Sequence, residues 1–264
     1  LDRAKSMFER DKNHVSILFW SCGNEAFCGT NIVAMADFFR SQDSSRLVHY
    51  EGVYFTRGVT WGKPTSPHWK PEWENSTDVE SRMYATPWDI RDYLENDPPK
   101  PYINVEYMHN MGNSLGGMES YVNLAREFPM YQGGFIWDFM DQALIYTNPN
   151  GEEVLGYGGD FGEFPNDGNF CMDGLVYPDR TPHTGLMEFK NIMRPARISE
   201  VNLAQGRFEV WNLYDFTTLS DAVEIRYTLR RGGQDVGGAV RLDHVRRKLP
   251  HGGVRDRSNA RNPP

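Results

Sequence analysis

Two glutamates stand where predicted buried strands end, and carboxylates in that position can carry acid–base or nucleophilic chemistry. Glu25 follows the apolar run Ile17–Trp20, and Glu106 follows the run Tyr102–Val105. Short continuous apolar runs are typical of strands buried on both faces. If both strands belong to one barrel, both side chains point toward the same open end of that barrel. Two neighbouring carboxylates are the least that a glycosidase needs for catalysis. On these residues alone, the alternative of ordinary salt-bridged or capping carboxylates stays open.

The elements that must position these glutamates alternate between strand and helix. The predicted strands are Ile17–Trp20, Leu47–Tyr50, Arg82–Ala85, Tyr102–Val105 and Gly133–Phe139. The predicted helices are Asn31–Arg40 (with Thr30 as its cap), Asp89–Glu95 and Met118–Phe128. This alternation indicates a parallel α/β architecture, and (β/α)8 barrels place their active sites at the C-terminal ends of the strands. The stretch Tyr54–Thr77 is predicted to be a long loop without regular structure.

The pattern changes after Ile198 to short alternating strands. These are predicted at Arg207–Trp211, Ala222–Leu229 and Gly238–Leu242. The final segment carries six Lys and Arg residues against one Asp and has no apolar period, so we expect it to be disordered. The resulting domain prediction is an α/β domain over residues 1–195, a partial β domain over 196–243 and a basic tail over 244–264.

Composition excludes several classes of function. The chain has 264 residues, of which 39% are hydrophobic and 24% charged, as in a globular protein. No run of 18 apolar residues occurs, so no membrane-spanning helix is predicted. The formal net charge of −8 argues against nonspecific nucleic-acid binding. The three cysteines are too few and odd in number for a disulfide scaffold, so we expect reduced thiols and a cytoplasmic location.

Six motifs lie in register along the chain. They are DKNHVSILFWSCGNE (11–25), EYMHNMGNSLGG (106–117), GGFIWD (133–138), YGGDFG (157–162), FCMDGL (170–175) and DRTPH (179–183). Over about residues 1–198 this series resembles glycoside hydrolase family 2, and specifically its bacterial β-galactosidases. The resemblance implies the C-terminal portion of a (β/α)8 TIM barrel, followed by the start of an all-β immunoglobulin-like sandwich.

The resemblance also implies a reaction, the retaining hydrolysis of terminal β-D-galactosides such as lactose. Glu25 matches the family's general acid/base, and Glu106 matches the nucleophile that forms a covalent galactosyl-enzyme. In retaining enzymes the two carboxyls lie about 5–5.5 Å apart. Asn24 matches a residue that hydrogen-bonds the sugar 2-hydroxyl, and Tyr84 matches a tyrosine beside the nucleophile.

Further positions match sugar-binding and metal-binding residues of the family. His109 matches a histidine that contacts sugar hydroxyls, and Trp137 matches an aromatic platform under the galactose ring. The backbone carbonyl of Phe170 and the side chain of Asp173 match a sodium site, although these β-galactosidases usually carry Asn at the latter position. Glu25 also matches a ligand of an active-site magnesium ion.

Measured against the family, the chain is expected to be a fragment. Its first strand matches about the fourth strand of the barrel, so the other magnesium ligands and the preceding jelly-roll domain are expected elsewhere. We therefore expect the isolated chain to be inactive and its full-length parent to be a homo-oligomer.

Two alternatives to a β-galactosidase stay open. One keeps the family and changes the sugar to a β-glucuronide or β-mannoside, although the run from His109 to Ser114 resembles the galactosidase branch. The other is a non-catalytic carbohydrate-binding fragment, suggested by the incomplete barrel.

Overall fold

Helices and parallel strands alternate along the first part of the chain, as the sequence pattern predicts. The computed structural model describes residues 1–60, 63–64, 66–236 and 241–247, in two units, Leu1–Phe189 and Lys190–Pro264. The described α-helices are α1 (Asp2–Asp11), α2 (Thr30–Gln42), α3 (Gly52–Arg57), α4 (Pro87–Glu95), α5 (Met118–Glu127), α6 (Thr184–Ile192) and α7 (Leu219–Ala222). Two 3₁₀ helices span Pro71–Ser76 and Leu203–Gln205.

The described strands are β1 (Phe19–Ser21), β2 (Leu47–His49), β3 (Val59–Thr60), β4 (Lys63–Pro64), β5 (Glu80–Met83), β6 (Tyr102–Tyr107), β7 (Tyr131–Ile136), β8 (Leu144–Thr147), β9 (Glu153–Gly156), β10 (Ala196–Asn202), β11 (Arg207–Asn212), β12 (Arg230–Arg231), β13 (Gln234–Asp235) and β14 (Arg241–Arg247). None of the helices in the described ranges is long and apolar enough to cross a membrane. All three cysteines are free thiols.

Five parallel strands follow one another in space in the order of the chain. Strand β1 pairs with β2, and β5, β6 and β7 form a second parallel sheet. Asp78 joins the two sheets, because its N–H donates to the carbonyl of Val48 at 2.8 Å and its carboxylate accepts the Val48 N–H at 2.7 Å. This is the arrangement of consecutive barrel strands. Within the described residues the strand array stays open and does not close into a barrel.

One apolar core lies between the first strands and their helices. The indole ring of Trp20 in β1 stacks on Phe39 of α2, with centroids 5.6 Å apart, and also contacts Phe8 of α1 at 5.2 Å. Helix α1 was not predicted because most of its residues are polar, yet it buries Ala4 and Phe8. A fully buried aromatic side chain contributes about 1.5–3 kcal/mol, so these rings fix the strand that leads to Glu25.

A second core fixes the strand that leads to Glu106. It contains Ile90 and Leu94 from α4, Leu124 from α5, and two tyrosines from β6 and β7. Helix α4 begins at a capping box, in which the side chains of Thr86 and Asp89 each accept the other's backbone N–H. The predicted helices 89–95 and 118–128 are confirmed, within one or two residues at each end.

The prediction that Tyr54–Thr77 lacks regular structure is wrong. Helix α3 enters this stretch, and Pro71 opens a 3₁₀ helix there. Gly58 ends α3 in the left-handed conformation, which glycine adopts without steric cost. Arg57 in the last turn of α3 pairs with the buried carboxylate of Glu80 in β5 at 2.7 Å, a long-range contact that local sequence patterns do not encode. The predicted cap of α2 also differs, since Gly29 is its N-cap and Thr30 its first residue.

The second unit contains a mixed sheet, in which β10 pairs antiparallel with β11 and β11 pairs parallel with β14. The predicted strand Ala222–Leu229 is wrong, because α7 ends at Ala222 and the residues from there to Leu229 are mostly exposed and belong to no described strand. The predicted strand Gly238–Leu242 lies partly outside the described residues, and its last two residues belong to β14. The predicted disordered tail, 244–264, begins inside β14, because residues 244–247 pair with β11, and the rest of it lies outside the described residues. The five strands described here are fewer than the roughly seven of an immunoglobulin-like sandwich, which stays a prediction.

Candidate active site

Glu25 lies in the loop after β1 and is held by its main chain. Its φ of 49° is in the left-handed region, which is unfavourable for a residue with a side chain. The backbone N–H of Glu25 donates to the carboxylate of Glu51 at 2.5 Å. Glu51 is only 1% exposed. Burial raises the pKa of Glu51, and the N–H of Glu25 opposes that rise by stabilising the carboxylate.

Glu106 lies near the end of β6 and is held by its side chain. The phenol of Tyr84 donates to the Glu106 carboxylate at 2.7 Å, and the Tyr84 N–H donates to the Glu106 carbonyl at 2.8 Å. A register irregularity between β5 and β6 sets Met83 opposite Glu106 and brings Tyr84 beside it. Tyr84 has a left-handed φ of 53°, so a second strand end in this region carries backbone strain.

Three carboxylates surround the phenol of Tyr84. Burial is the largest cause that raises the pKa of Tyr84, followed by its hydrogen bond to Glu106 and by the negative charges of Glu106, Glu25 and Asp173. The phenol is therefore protonated at neutral pH and acts as a hydrogen-bond donor. The negative charges of both strand-end glutamates therefore act on the same phenol.

The remaining predicted residues form a connected cluster beside Tyr84. The ring of His109 lies 5.9 Å from the Tyr84 ring and 5.6 Å from the ring of Phe170. The indole N–H of Trp137 donates to Oδ2 of Asp173 at 3.3 Å, and Nε2 of His109 lies 3.8 Å from the same oxygen. All eight predicted site residues therefore gather in one region, since Asn24 lines the same cavity as Glu106.

A cavity of about 280 Å³ opens between the ends of β1, β2, β6 and β7. Five of its ten lining residues carry polar side chains, namely Ser21, Asn24, His49, Glu51 and Glu106. The other five are Phe19, Gly23, Ile103, Val105 and Phe135. Neither lysine nor arginine occurs in the lining that the structure describes. The volume lies just below the range of about 300–1,000 Å³ that is usual for small-molecule sites.

His49 joins the two strand groups behind the cavity. Its Nδ1 lies 3.0 Å from the hydroxyl of Ser21 in β1, and its Nε2 lies 2.9 Å from the hydroxyl of Ser81 in β5. Burial lowers the pKa of His49 to about 4. The imidazole is therefore neutral at pH 7, with one ring nitrogen donating and the other accepting.

The described residues fit the expected sodium ion better than the expected magnesium ion. Asp173 is 2% exposed, and its Oδ1 is buried without a hydrogen-bond partner, so the oxygen has lone pairs free for a cation. Oxygen ligands of this kind suit a hard cation, which supports the sodium assignment. In the part of the chain that the structure describes, no group of three or more His, Cys, Asp or Glu side chains could hold a metal ion. A magnesium site around Glu25 therefore does not fit these residues alone.

Three polar residues that shape this region were not predicted from the sequence. Glu51 follows the predicted strand Leu47–Tyr50, so the strand-end rule that found the other glutamates also applies to it. Asp141 accepts the N–H of Gly174 at 2.8 Å and pairs with His183 at 2.7 Å, which holds the segment carrying Asp173. His183 ends the motif DRTPH, but no local pattern links it to Asp141, which lies 42 residues earlier.

Comparison with known proteins identifies the family. The profile described as "Glycosyl hydrolases family 2, TIM barrel domain" matches residues 1–198. A β-galactosidase of Halalkalibacterium halodurans is 55% identical over 190 residues, which cover 72% of this chain and 17% of that protein. A β-galactosidase of Priestia megaterium is 44% identical over 234 residues, which cover 89% and 21%. The β-galactosidase large subunit of Leuconostoc lactis is 52% identical over 191 residues, which cover 72% and 28%.

The chain thus spans less than a third of the length of these curated relatives. Among solved structures, the β-glucuronidase of Lactobacillus rhamnosus is similar with a TM-score of 0.48 and 14% identity, over 74% of this chain and 35% of that one. A likeness at that level has no bearing on the substrate. Because the family profile matches most of the chain, this chain belongs to glycosyl hydrolase family 2.

Proposed function

We propose that the chain carries the catalytic carboxylates of a retaining β-galactosidase, with Glu25 as general acid/base and Glu106 as nucleophile. The observation that supports this most directly is the environment of the Tyr84 phenol. It donates a hydrogen bond to Glu106 at 2.7 Å, and the negative charge of Glu25 is one of the causes that raise its pKa. We infer a galactoside as the substrate from the names of the curated relatives, which are β-galactosidases.

The proposed reaction has two steps. In the first, the Glu106 carboxylate attacks the anomeric carbon while Glu25 donates its proton to the departing glycosidic oxygen. In the second, Glu25 takes a proton from water, the water oxygen bonds to the anomeric carbon, and Glu106 leaves as a carboxylate. Tyr84 donates a hydrogen bond to that carboxylate throughout, so it lowers the free energy of the departing anion.

The proposed sugar contacts come from Asn24 in the cavity lining and from the cluster of residues beside Tyr84. Asn24 would bond the 2-hydroxyl, where an interaction that strengthens in the transition state accelerates the reaction. His109 would bind further hydroxyls, and Trp137 would pack under the ring. Asp173 and the carbonyl of Phe170 would hold a sodium ion, which when bound supplies a positive charge that orients a sugar hydroxyl. A magnesium ion at Glu25 would need ligands beyond those described, so no step is assigned to it.

The wider architecture is also proposed rather than established. The antiparallel β10–β11 pair supports a separate β domain from about residue 196, as the start of an immunoglobulin-like sandwich. One relative is named a large subunit, which supports assembly with further chains. The homo-oligomeric parent and the cytoplasmic location rest on the sequence alone.

Among the alternatives, a β-glucuronide is the less suitable substrate. Its carboxylate needs a cation, whereas the described cavity lining contains Glu51 and Glu106 and no lysine or arginine. A neutral galactoside avoids this repulsion.

The experiment traps the covalent intermediate. A hybrid enzyme is made in which residues 1–198 of this chain replace the matching segment of the H. halodurans β-galactosidase. It is treated with a dinitrophenyl 2-fluoro-β-galactoside, and the labelled peptide is mapped. We expect label on Glu106 in the hybrid enzyme and no label in its Glu106→Gln variant. A label on any other residue, or faster turnover of nitrophenyl glucuronide than of nitrophenyl galactoside, contradicts the proposal.

A further inference from the structure

Glu51 lies against the main chain of the proposed acid/base residue. We propose that Glu51 is a positioning residue, whose carboxylate holds the backbone of Glu25 in its left-handed conformation and so sets the direction of the acid/base side chain. This inference rests on the proposed function, because it concerns the geometry of the same reaction. The contact that carries it is the 2.5 Å hydrogen bond from the Glu25 N–H to Oε1 of Glu51.

The contact has the features of a conformational restraint. Non-glycine residues adopt positive φ only when surrounding interactions compensate the steric cost, and Glu25 has a φ of 49°. A carboxylate that is 1% exposed is itself costly to bury unless it accepts strong hydrogen bonds. A charge-assisted bond between the two therefore meets both requirements at once.

A simple helix-capping role does not account for Glu51. It is the N-cap residue of α3, where an acidic side chain commonly accepts N–H groups of the first turn, but its side chain makes no such capping bond. The carboxylate is instead bonded to the loop that follows β1, which lies 26 residues earlier in the chain. The N–H groups of Glu51 itself and of Gly52 also lower the pKa of this carboxyl, but less than the N–H of Glu25 does.

The neighbours of Glu51 hold the same loop in the same way. The Tyr50 hydroxyl donates to the carbonyl of Ala26 at 2.5 Å, and the Thr56 hydroxyl accepts the N–H of Cys28 at 2.5 Å. Glu51 differs from both in that it touches the acid/base residue itself. Thr56 is therefore a matched control, because it bonds one N–H of the same loop over the same distance.

The first measurement is amide hydrogen exchange at Glu25 in the whole 264-residue chain, which does not depend on activity. A bond to a charged acceptor slows exchange by about 30-fold. We expect that protection to vanish in Glu51→Leu, to persist largely in Glu51→Gln, which keeps an acceptor oxygen, and to persist in Thr56→Val. Equal exchange at Glu25 in the parent chain and in Glu51→Leu overturns the proposal.

The second measurement is the dependence of rate on the leaving group in the hybrid enzyme. Poor leaving groups need protonation by the acid, whereas dinitrophenolate departs without it. For Glu51→Leu we expect kcat/KM to fall about 100-fold with methoxyphenyl galactoside and less than about 5-fold with dinitrophenyl galactoside. Glu51→Gln should recover most of the loss, and Thr56→Val should lower both rates to a similar, smaller degree.

These results separate the two proposals. A uniform loss with both leaving groups in Glu51→Leu, or the same selective loss in Thr56→Val, overturns the positioning role while the proposed function stands. Failure of the wild-type hybrid enzyme to form label on Glu106 overturns the proposed function. In that case the exchange rates at Glu25 still decide whether Glu51 holds its backbone.

Discussion

The two proposed catalytic glutamates are held in opposite ways. The Glu106 carboxylate is fixed through its side chain by the phenol of Tyr84, whereas Glu25 is fixed through its backbone N–H by Glu51. In the described residues, no side chain hydrogen-bonds the carboxyl of Glu25. The difference suits the two roles, because a nucleophile gains from a donor that stabilises its anion, whereas an acid/base group must gain and lose a proton. Fixing the main chain positions that group without a described hydrogen bond to its carboxyl.

The largest effect should separate the two roles chemically. In the hybrid enzyme, Glu106→Ala should lower kcat by on the order of 10⁵-fold, and Glu25→Ala should lower it by about 10³-fold with an unactivated galactoside. Azide should then restore turnover in both variants by different routes. It replaces the attacking water in Glu25→Ala and the missing nucleophile in Glu106→Ala. The measurement is the anomeric configuration of the galactosyl azide by NMR.

We expect the β-azide from Glu25→Ala and the α-azide from Glu106→Ala, because only the former retains the covalent step. The exposed Glu119 on α5 is a control, and Glu119→Gln should leave turnover close to that of the parent. The opposite pair of products would reverse the assignment of the two glutamates.

The next prediction concerns His49. Its ring lies within hydrogen-bond distance of Ser21 in β1, the strand before Glu25, and of Ser81 in β5, the strand before Tyr84. Its pKa is lowered to about 4 by burial, below the ordinary value of 6.5. Between these values the unfolded chain binds more protons, so stability is lost as pH falls from about 6.5 to about 4. Between about pH 7 and about pH 4.5, His49 should account for about 2 kcal/mol of the fall in the unfolding free energy of the parent chain. This part of the fall should be absent in His49→Gln.

Urea denaturation of the 264-residue chain at the two pH values checks this. The acidic residues also titrate in this range, so the quantity compared is the difference between the parent chain and each variant. His68 is exposed, and His68→Gln should keep the full pH dependence of the parent. A parent-like slope in His49→Gln would show that the bridge between the two strand groups does not depend on a neutral imidazole.

A smaller effect tests the side-chain restraint alone. Tyr84→Phe removes the 2.7 Å bond to Glu106, and a hydrogen bond to a charged group is worth about 1.5–3 kcal/mol. We expect kcat of the hybrid enzyme to fall about 20-fold, with covalent galactosyl-enzyme accumulating because the departing carboxylate is less stable. Rapid-quench mass spectrometry measures the fraction of labelled enzyme. Tyr93→Phe removes a bond to the Lys100 carbonyl instead, and it should not change that fraction.

The sequence predicted the five parallel strands of the first unit to within about three residues, because most of them are local apolar runs. Glu25 and Glu106 were found by that rule, and the predicted helices came within a few residues of the observed ones. What could not be predicted depends on which strands become neighbours. The His49 bridge requires β2 to lie between β1 and β5, and the Tyr84 contact requires the irregular register between β5 and β6. The ion pair between Arg57 of α3 and Glu80 likewise joins residues that lie 23 positions apart.

The last effect tests the main-chain restraint at Gly52, the first residue of α3. A Cβ atom there would overlap the carbonyl oxygen of Ala26, which belongs to the loop that carries Glu25. Overpacking of this kind costs about 1–3 kcal/mol. Gly52→Ala should therefore lower the unfolding free energy by about 1–3 kcal/mol. Because the overlap is with backbone, the loop must shift, and the Glu25 amide should lose its protection against exchange.

The matched substitution lies on the nucleophile side, at Gly116, where a side-chain methyl group would meet no atom within 4 Å. Gly116→Ala should change neither the exchange of the Glu25 amide nor the accumulation of covalent enzyme. If Gly52→Ala leaves the Glu25 amide protected, the loop tolerates displacement, and the backbone of Glu25 is set by its own sequence rather than by α3. If the amide is exposed while Glu106 still labels at the parent rate, the two glutamates are positioned independently, as the difference in their restraints requires.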